Sequence, residues 1–476
     1  MITVSLPPAS RPASRRSAPR HAARTAVAFV VAALILPVQL RAQNPPSAPS
    51  PPSQPAAPLS PAVTLTLGDA ARLAARQSAA AQVASARADQ ADARAIQRRA
   101  DLFPTLTASA LEGERNLNSA SFGVAFPGVP AGGTVLGPVR NYDLRGNLRL
   151  PLVDMSAWAR TRSARTSANA ARADAANQAD LAATTGAVAY LRALRAEGFL
   201  RARTADSVLA DELVSIAREQ VKSGVGIALD LTRAQSQAAG ARAQLIAARS
   251  ERDRSRLDLY RALGLSLDAR VEFRDSLGMK DNGIVPFYQD AVIQAFKARP
   301  DLASALAQIA AQQQSINAVR AERLPTLALA ADQGVNGAKT DRMLNTYSWG
   351  VQLSIPIFDG FRREAREAEQ QAQLRELEVR ERDLRQQVTI EVRSALLDLA
   401  SAREQADATE LRLKLAEQEL SEARDRFKAG VAGNADVVTA SITLNSARTQ
   451  LVDALTQYAA ARVTVARVQG AVASLP

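Results

Sequence analysis

The sequence predicts a mainly α-helical protein with a membrane-facing β-sheet part and a twofold internal repeat. Long helices are indicated because proline, the strongest helix breaker, is absent from residues 152–285 and 357–475. Strands are indicated by YDLRGNLRLPL (142–152) and YSWGVQLSIPI (347–357), in which apolar and polar side chains alternate. The repeat is indicated because these two segments superimpose at an offset of 205 residues, with a proline at the same place in each.

The first 42 residues are predicted to be a secretory signal peptide. Several arginines precede an apolar stretch from Ala26 to Leu36, and a plausible cleavage site follows Ala42. The stretch is too short to span a bilayer, although a short membrane anchor is the alternative because Leu40 is unusual three places before a cleavage point. Residues 43–62 are rich in proline and are predicted to form an extended linker.

The composition excludes several classes of function. The chain has no cysteine, and its one histidine, His21, lies in the predicted signal peptide. Nucleophile systems that need histidine or cysteine and zinc sites that need imidazole or thiolate are therefore excluded, and we expect no enzyme, no cofactor and no catalytic or metal-binding residue. The net charge of +12 falls to about +6 without the six arginines of the signal peptide, and no basic patch predicts a nucleic-acid partner.

Residues 63–264 are predicted to form the first repeat: a helix, two strands, a long helix, a tip and a returning helix. One alanine-rich helix is expected from Asp69 to Asp101, where neither glycine nor proline occurs. The long helix should run from Met155 to the first glycine break, a length of roughly 100 Å. The returning helix should end near Leu263, so the two shorter helices together match the long one and are expected to lie end to end beside it.

Residues 265–299 are predicted to connect the repeats, and residues 300–476 to repeat the same order of elements. The second long helix should run from Phe358 to Lys428. Its apolar residues recur at intervals of seven and four, which is typical of a coiled-coil face: Leu377, Leu384, Val388, Ala395 and Leu399. Acidic and basic residues four apart indicate a solvated face: Glu376 with Arg380, Glu378 with Arg382, and Glu381 with Arg385.

Each repeat is predicted to hold a strand pair, because LFPTLTASALEG (102–113) and RLPTLALAADQG (323–334) precede the two alternating segments. The apolar residues of the alternating segments are predicted to face lipid: Tyr142, Leu144, Leu148, Leu150, Tyr347, Trp349, Val351, Leu353 and Ile355. A half-buried strand in a soluble sheet is the alternative.

A membrane location is favoured by strands of about ten residues, by aromatic residues clustered beside them, and by a loop rich in glycine and proline at 122–138. Four strands cannot close a barrel, and unpaired edges are not tolerated in hydrocarbon. An oligomer in contact with outer-membrane lipid is therefore expected.

The glycine breaks that follow the long helices are the most specific feature of the repeat. VKSGVGIALDLTRA (221–234) and FKAGVAGNADVVTA (427–440) have the same residue at these four equivalent positions: Lys222, Gly224, Val225 and Asp230 match Lys428, Gly430, Val431 and Asp436. Gly224, Gly226, Gly430 and Gly433 would permit the positive φ angles needed to reverse a helix. Asp230 and Asp436 lie near the start of each returning helix, where a carboxylate can cap free amide groups.

This organisation resembles the TolC-like outer-membrane efflux protein family from about Val63 onward. The resemblance rests on the twin glycine breaks, the two PTL strand starts and LSIPIFDGFRREA (353–365). It implies a homotrimer whose twelve strands form one barrel, continued by an α-helical tunnel in the periplasm of a Gram-negative bacterium. It also implies that the eight tip residues contact a periplasmic adaptor, and that Asp230 and Asp436 are candidates for the aperture, with capping as the alternative. Phe427, Ala432 and Thr439 do not match a tyrosine or arginine latch.

The expected function is a passive exit duct of a tripartite efflux or type I secretion system. An inner-membrane pump would supply the energy, since the chain has no nucleotide-binding Gly-Lys motif. The alternative is a periplasmic coiled-coil scaffold or adaptor without a membrane barrel. The exported cargo is not predicted by the sequence.

Overall fold

The computed structural model describes residues 63–122, 130, 132–279, 287–429, 431 and 433–475. The predicted signal peptide (1–42), the predicted linker (43–62), residues 123–129 and 131 of the predicted loop (122–138), Gly430 and Ala432 lie outside the described residues. None of the helices in the described part of the chain combines the length and hydrophobicity that a bilayer-spanning helix needs.

The chain places the same order of elements in each half: helix, strand, strand, long helix and shorter helix. The first half contains β1 (Val63–Leu65), α1 (Leu67–Gln77), α2 (Ala79–Ala100), β2 (Thr105–Asn118), β3 (Val135–Asp154), α3 (Met155–Lys222) and α4 (Ala228–Leu263). The second half contains β4 (Val271–Phe273), α5 (Tyr288–Ala298), α6 (Pro300–Ala321), β5 (Thr326–Gly337), β6 (Leu344–Ser354), α7 (Arg362–Lys428) and α8 (Asn434–Val468). The long helices α3 and α7 have 68 and 67 residues. The boundaries between the predicted domains stay predictions.

The single helix predicted from Asp69 to Asp101 is wrong, because Ser78 divides it into α1 and α2. Ser78 has extended backbone angles, and its hydroxyl accepts a hydrogen bond from the amide of Ala81 at 3.3 Å. Serine competes for backbone amides in this way and so starts a new helix. At the start of α1, Thr66 and Asp69 form a capping box. The hydrogen bonds that Asp69 accepts from Arg72 and Thr66 hold its pKa below the ordinary value.

The shorter helices lie along the long ones, as predicted. Helices α1, α2 and α4 all pack against α3, and α8 packs against α7. Small residues allow this close approach: a Cβ added to Gly186 of α3 would lie 2.4 Å from the Cβ of Ala74 in α1. Beside this contact the buried Tyr190 donates hydrogen bonds to the carbonyl of Leu65 and to the Asp275 carboxylate, both at 3.0 Å. Burial, together with the Asp275 charge, raises the pKa of Tyr190.

The heptad pattern predicted in α7 is confirmed. Val388, Ala395 and Leu399 are buried, while Leu377 and Leu384 are half-buried on the same stripe. Two of the three predicted ion pairs form, Glu376 with Arg380 at 2.5 Å and Glu381 with Arg385, whereas Glu378 and Arg382 are not within ion-pair distance. The helix therefore buries one narrow stripe and leaves a charged surface exposed.

The two predicted strand pairs are confirmed, and they join into one antiparallel sheet of order β2-β3-β5-β6. Strand β3 of the first half pairs with β5 of the second over residues 142–154 and 326–337. Strands β1 and β4 form a second, parallel sheet, in which Val63 lies opposite Val271. The sequence did not predict this sheet. Strands β2 and β6 form the two edges of the four-stranded sheet and have no outer partner within the described residues.

Candidate tip and membrane surfaces

The first tip, residues 221–230, reverses the chain between α3 and α4 in a few residues. Gly224 has φ +73°, which glycine adopts without strain. The amides of Val225 and Gly226 then donate to the carbonyl of Gln220 at 3.1 and 2.9 Å, which satisfies a carbonyl at the end of α3. The positive φ predicted at Gly224 is confirmed. The positive φ predicted at Gly226 is wrong. Glycine is favoured there for a different reason, because an added Cβ would lie 2.9 Å from the Cβ of Gln220.

The second tip, residues 427–436, reverses the chain between α7 and α8. The amide of Val431 donates to the carbonyl of Arg426 at 3.0 Å. Gly433 precedes α8 with φ −79° and ψ 161°, so the positive φ predicted for it is wrong. The same prediction for Gly430 falls outside the described residues.

The prediction that Asp230 and Asp436 cap the returning helices is also wrong, because neither side chain forms a capping hydrogen bond. The residues that precede α4 and α8 are Ile227 and Gly433, and neither helix start has a side-chain cap. Asp230 is half-buried and lies 3.8 Å from Arg233, whereas Asp436 is exposed. Both carboxylates lie in the first turn, where the helix dipole favours negative charge. Their role at an aperture stays a prediction.

Two side chains link the tips to each other, and the sequence did not predict either one. Asn434, only 1% exposed, donates from Nδ2 to the carbonyl of Asp230 at 2.9 Å. Gln220 donates from Nε2 to the carbonyl of Phe427 at 3.4 Å, and Phe427 is itself buried against Leu420 and neighbouring core residues. The two tips therefore form one connected unit rather than two independent turns.

Apolar side chains are exposed at both tips. Val225 and Val431, which occupy equivalent positions, are 74% and 73% exposed, and Ile227 and Leu229 are also exposed. Lys222 and Lys428 lie exposed at the ends of the long helices beside them. Exposed apolar clusters with charged neighbours are typical of protein–protein contact sites.

We expect Gly224→Ala to destabilise the first tip by about 1–2 kcal/mol, because alanine is strained at a positive φ. Gly433→Ala is the matched control, since both sites have open space for a Cβ but Gly433 has an ordinary φ. Limited proteolysis at the tips measures the effect. We expect Gly224→Ala to be cleaved faster than Gly433→Ala. Equal cleavage rates would contradict a strained turn at residue 224.

The predicted lipid-facing residues occupy one face of the four-stranded sheet. Residues directly opposite each other in a sheet share a face, and the register aligns Leu148 with Ala331 and Ala331 with Trp349. Alternation along β3 and β6 then places the other members on this apolar face, of which Tyr347 and Trp349 are 75% and 72% exposed. Ile355 is the exception, since it follows the last residue of β6. Contact with lipid stays a prediction for all nine.

The opposite, polar face carries a charged cluster around Arg145. The guanidinium of Arg145 donates to Asp143 of the same strand at 3.2 and 3.3 Å, to Asp332 of β5, and to the hydroxyl of Thr346 in β6 at 3.3 Å. Ser348 donates to the other oxygen of Asp332. The cluster therefore spans three strands and both halves of the chain.

The described chain thus joins a four-stranded sheet with one exposed apolar face to two long helical hairpins with exposed tips. The sequence model of the outer membrane efflux protein family matches residues 70–265 and 292–471, so the chain belongs to this family of channel proteins. The resemblance identified from the sequence is thereby confirmed.

Individual relatives agree with this assignment. Protein CyaE of Bordetella pertussis is 28% identical over 327 residues, which are 65% of this chain and 66%, just under two thirds, of CyaE. A membrane protein from Pseudomonas aeruginosa has a TM-score of 0.70 at 20% identity and covers 85% of this chain and 93% of its own. The CmeC outer membrane channel of Campylobacter jejuni has a TM-score of 0.68 at 17% identity, with 85% of each chain covered. The largely helical fold with an antiparallel sheet is thus that of TolC-like channels.

Proposed function

We propose that this protein is the outer-membrane exit duct of a tripartite efflux or type I secretion system in a Gram-negative bacterium. The observation that carries the proposal is the two-faced sheet with open edges. Its apolar face exposes Tyr347 and Trp349, its polar face holds the Arg145 cluster, and β2 and β6 lack outer partners within the described chain. Unpaired edges are not tolerated in a bilayer, and three copies would join edge to edge into a twelve-stranded barrel.

The helices would continue this barrel through the periplasm. At 1.5 Å per residue α3 and α7 each extend roughly 100 Å, and the charged face of α7 suits a water-filled tunnel or periplasmic surface. The exposed apolar tip residues would contact a periplasmic adaptor, and an inner-membrane pump would provide the energy. Asp230 and Asp436 would line the aperture where the tips converge.

A periplasmic scaffold without a barrel is the second candidate. Long coiled-coil hairpins favour it as much as they favour a duct. However, a scaffold would leave the large aromatic side chains of Tyr347 and Trp349 in water with no partner, and soluble proteins rarely expose such a contiguous apolar face.

Cell fractionation separates the two candidates. A duct should remain with the outer membrane after osmotic shock and after extraction of the inner membrane with mild detergent, and it should migrate as a trimer. Release of the protein by osmotic shock, as a soluble monomer, would overturn the duct and favour the scaffold.

At the tips, we expect Asp230→Ala to lower export by roughly fivefold at nearly unchanged protein level, because truncation of a hot-spot residue at the centre of an interface costs more than about 1 kcal/mol. Asp407→Ala is the matched control, an exposed carboxylate far from the tip on α7. Cargo efflux and immunoblotting of membranes measure the two quantities. Normal export by a chain in which Asp230 and Asp436 are both replaced would contradict a role for these aspartates.

A further inference from the structure

The charges on the polar face of the sheet are arranged around a single cation. Arg145 lies opposite Ser109 on β2 and Gly334 on β5, and Gly334 lies opposite Thr346 on β6, so Arg145 is central on this face. Two carboxylates, Asp143 and Asp332, bind its guanidinium from two different strands. Arg145 is therefore a cation enclosed by anions at the seam between the two halves of the chain.

The described charged side chains on the polar face carry a net charge of −1. They are two arginines and three aspartates: Arg145, Arg149, Asp143, Asp332 and Asp154, the last of which ends β3 opposite Thr326. Arg149 lies four residues along β3 from Arg145, roughly 13 Å away, and is exposed. The described charges on the apolar face, Glu112, Glu114 and Arg140, all lie toward the β2–β3 loop, and Arg140 donates to Glu114 at 3.3 Å.

We propose that Arg145 sets the charge selectivity of the membrane part of the duct by offsetting one of the two negative charges of the Asp143 and Asp332 carboxylates. This inference rests on the proposed function, since the polar face lines a lumen only if the sheet closes into a barrel. Three copies would then place three equivalent clusters at one height, and rings of charged side chains control which ions pass. Each cluster of one arginine and two aspartates carries a net charge of −1, so Arg145 limits the preference of the ring for cations.

Arg145 is suited to this role by its chemistry as well as its position. A guanidinium stays charged and its fixed fork holds two carboxylates at once, which lysine does not do. The cluster is held on β3, β5 and β6 together, so its charge is fixed in place rather than carried on a mobile loop. Low-dielectric walls concentrate the field of such fixed charges in the lumen.

The test measures reversal potentials of the purified full-length protein in planar bilayers across a KCl gradient. We expect Arg145→Gln to raise the potassium-to-chloride permeability ratio by about twofold or more at 0.01 M salt, where the Debye length is about 30 Å. The double variant Asp143→Asn with Asp332→Asn should shift the ratio toward chloride by a larger factor, because it removes two charges per protomer instead of one. Arg145→Lys keeps the charge and should stay close to the unmodified protein.

Arg140→Gln is the matched control, because it removes the same charge from the same strand on the opposite face. It should leave the reversal potential unchanged. If Arg145→Gln and the double aspartate variant conduct but keep the original ratio, or if Arg140→Gln shifts the ratio as much as Arg145→Gln, the assignment of Arg145 is overturned. Absence of conductance in the unmodified protein would instead overturn the proposed function.

Discussion

Replacing Asp206 with alanine is expected to destabilise the helical part of the protein by about 1.5–3 kcal/mol, because it removes a buried carboxylate that accepts hydrogen bonds from two half-buried arginines. The Asp206 side chain is 1% exposed. It accepts hydrogen bonds from Arg203 of the same helix at 3.2 Å and from Arg448 of α8 at 3.0 Å. The second of these contacts joins the hairpin that contains α3 to the one that contains α8.

Asp211→Ala is the matched control for Asp206→Ala. Asp211 lies five residues further along α3 and pairs with Arg242 at 2.8 Å, but both side chains are well exposed. Exposed pairs contribute about 0–1 kcal/mol, so this variant should be close to neutral. The midpoint of thermal loss of helix signal, measured at one protein concentration in detergent, compares the two. Equal midpoints would show that the hairpins are held together without the Asp206 cluster.

Gly186→Ala is expected to destabilise the protein by about 1–3 kcal/mol through overpacking. The new methyl group would lie 2.4 Å from the Cβ of Ala74 and 3.0 Å from the carbonyl oxygen of Ala70, so α1 has to move away from α3. Displacement of α1 would also disturb the neighbouring Tyr190, which donates to the carbonyl of Leu65.

Gly240→Ala serves as the control for the Gly186 substitution. Gly240 is exposed on α4, and an added Cβ meets no heavy atom within 4 Å. Alanine has the higher helix propensity by about 1 kcal/mol, so the variant should be slightly more stable than the unmodified protein. The same thermal measurement should therefore give shifts of opposite sign. A stabilising effect of alanine at residue 186 would contradict close packing of α1 on α3.

The features that were predictable from sequence depend on local rules. The long helices begin and end close to the predicted residues, because proline is absent between their limits and glycine breaks follow their ends. The strand pairs were predictable because alternation over about ten residues is typical of a strand with two different faces. Repetition strengthened both predictions, since Gly224 and Val431 each have an equivalent in the other half.

The features that were missed depend on contacts between distant residues. At the offset of 206 residues that aligns the two tips, Asn434 corresponds to Ala228 and Gln220 to Arg426, so the side chains that link the tips carry no repeated signal. The Arg145 cluster depends on the register of β3 with β5, and register cannot be deduced from alternation alone. Asp206 gave no signal because an aspartate in a helix rich in polar residues is usually solvated.

The most direct test of the exit duct is the conductance of the purified protein in a planar lipid bilayer. We expect stepwise currents, each step produced by the insertion of one trimer, because a closed twelve-stranded barrel of this kind leaves a water-filled path. A protein that is trimeric, folded and inserted in the bilayer but carries no current at any applied voltage would contradict the duct.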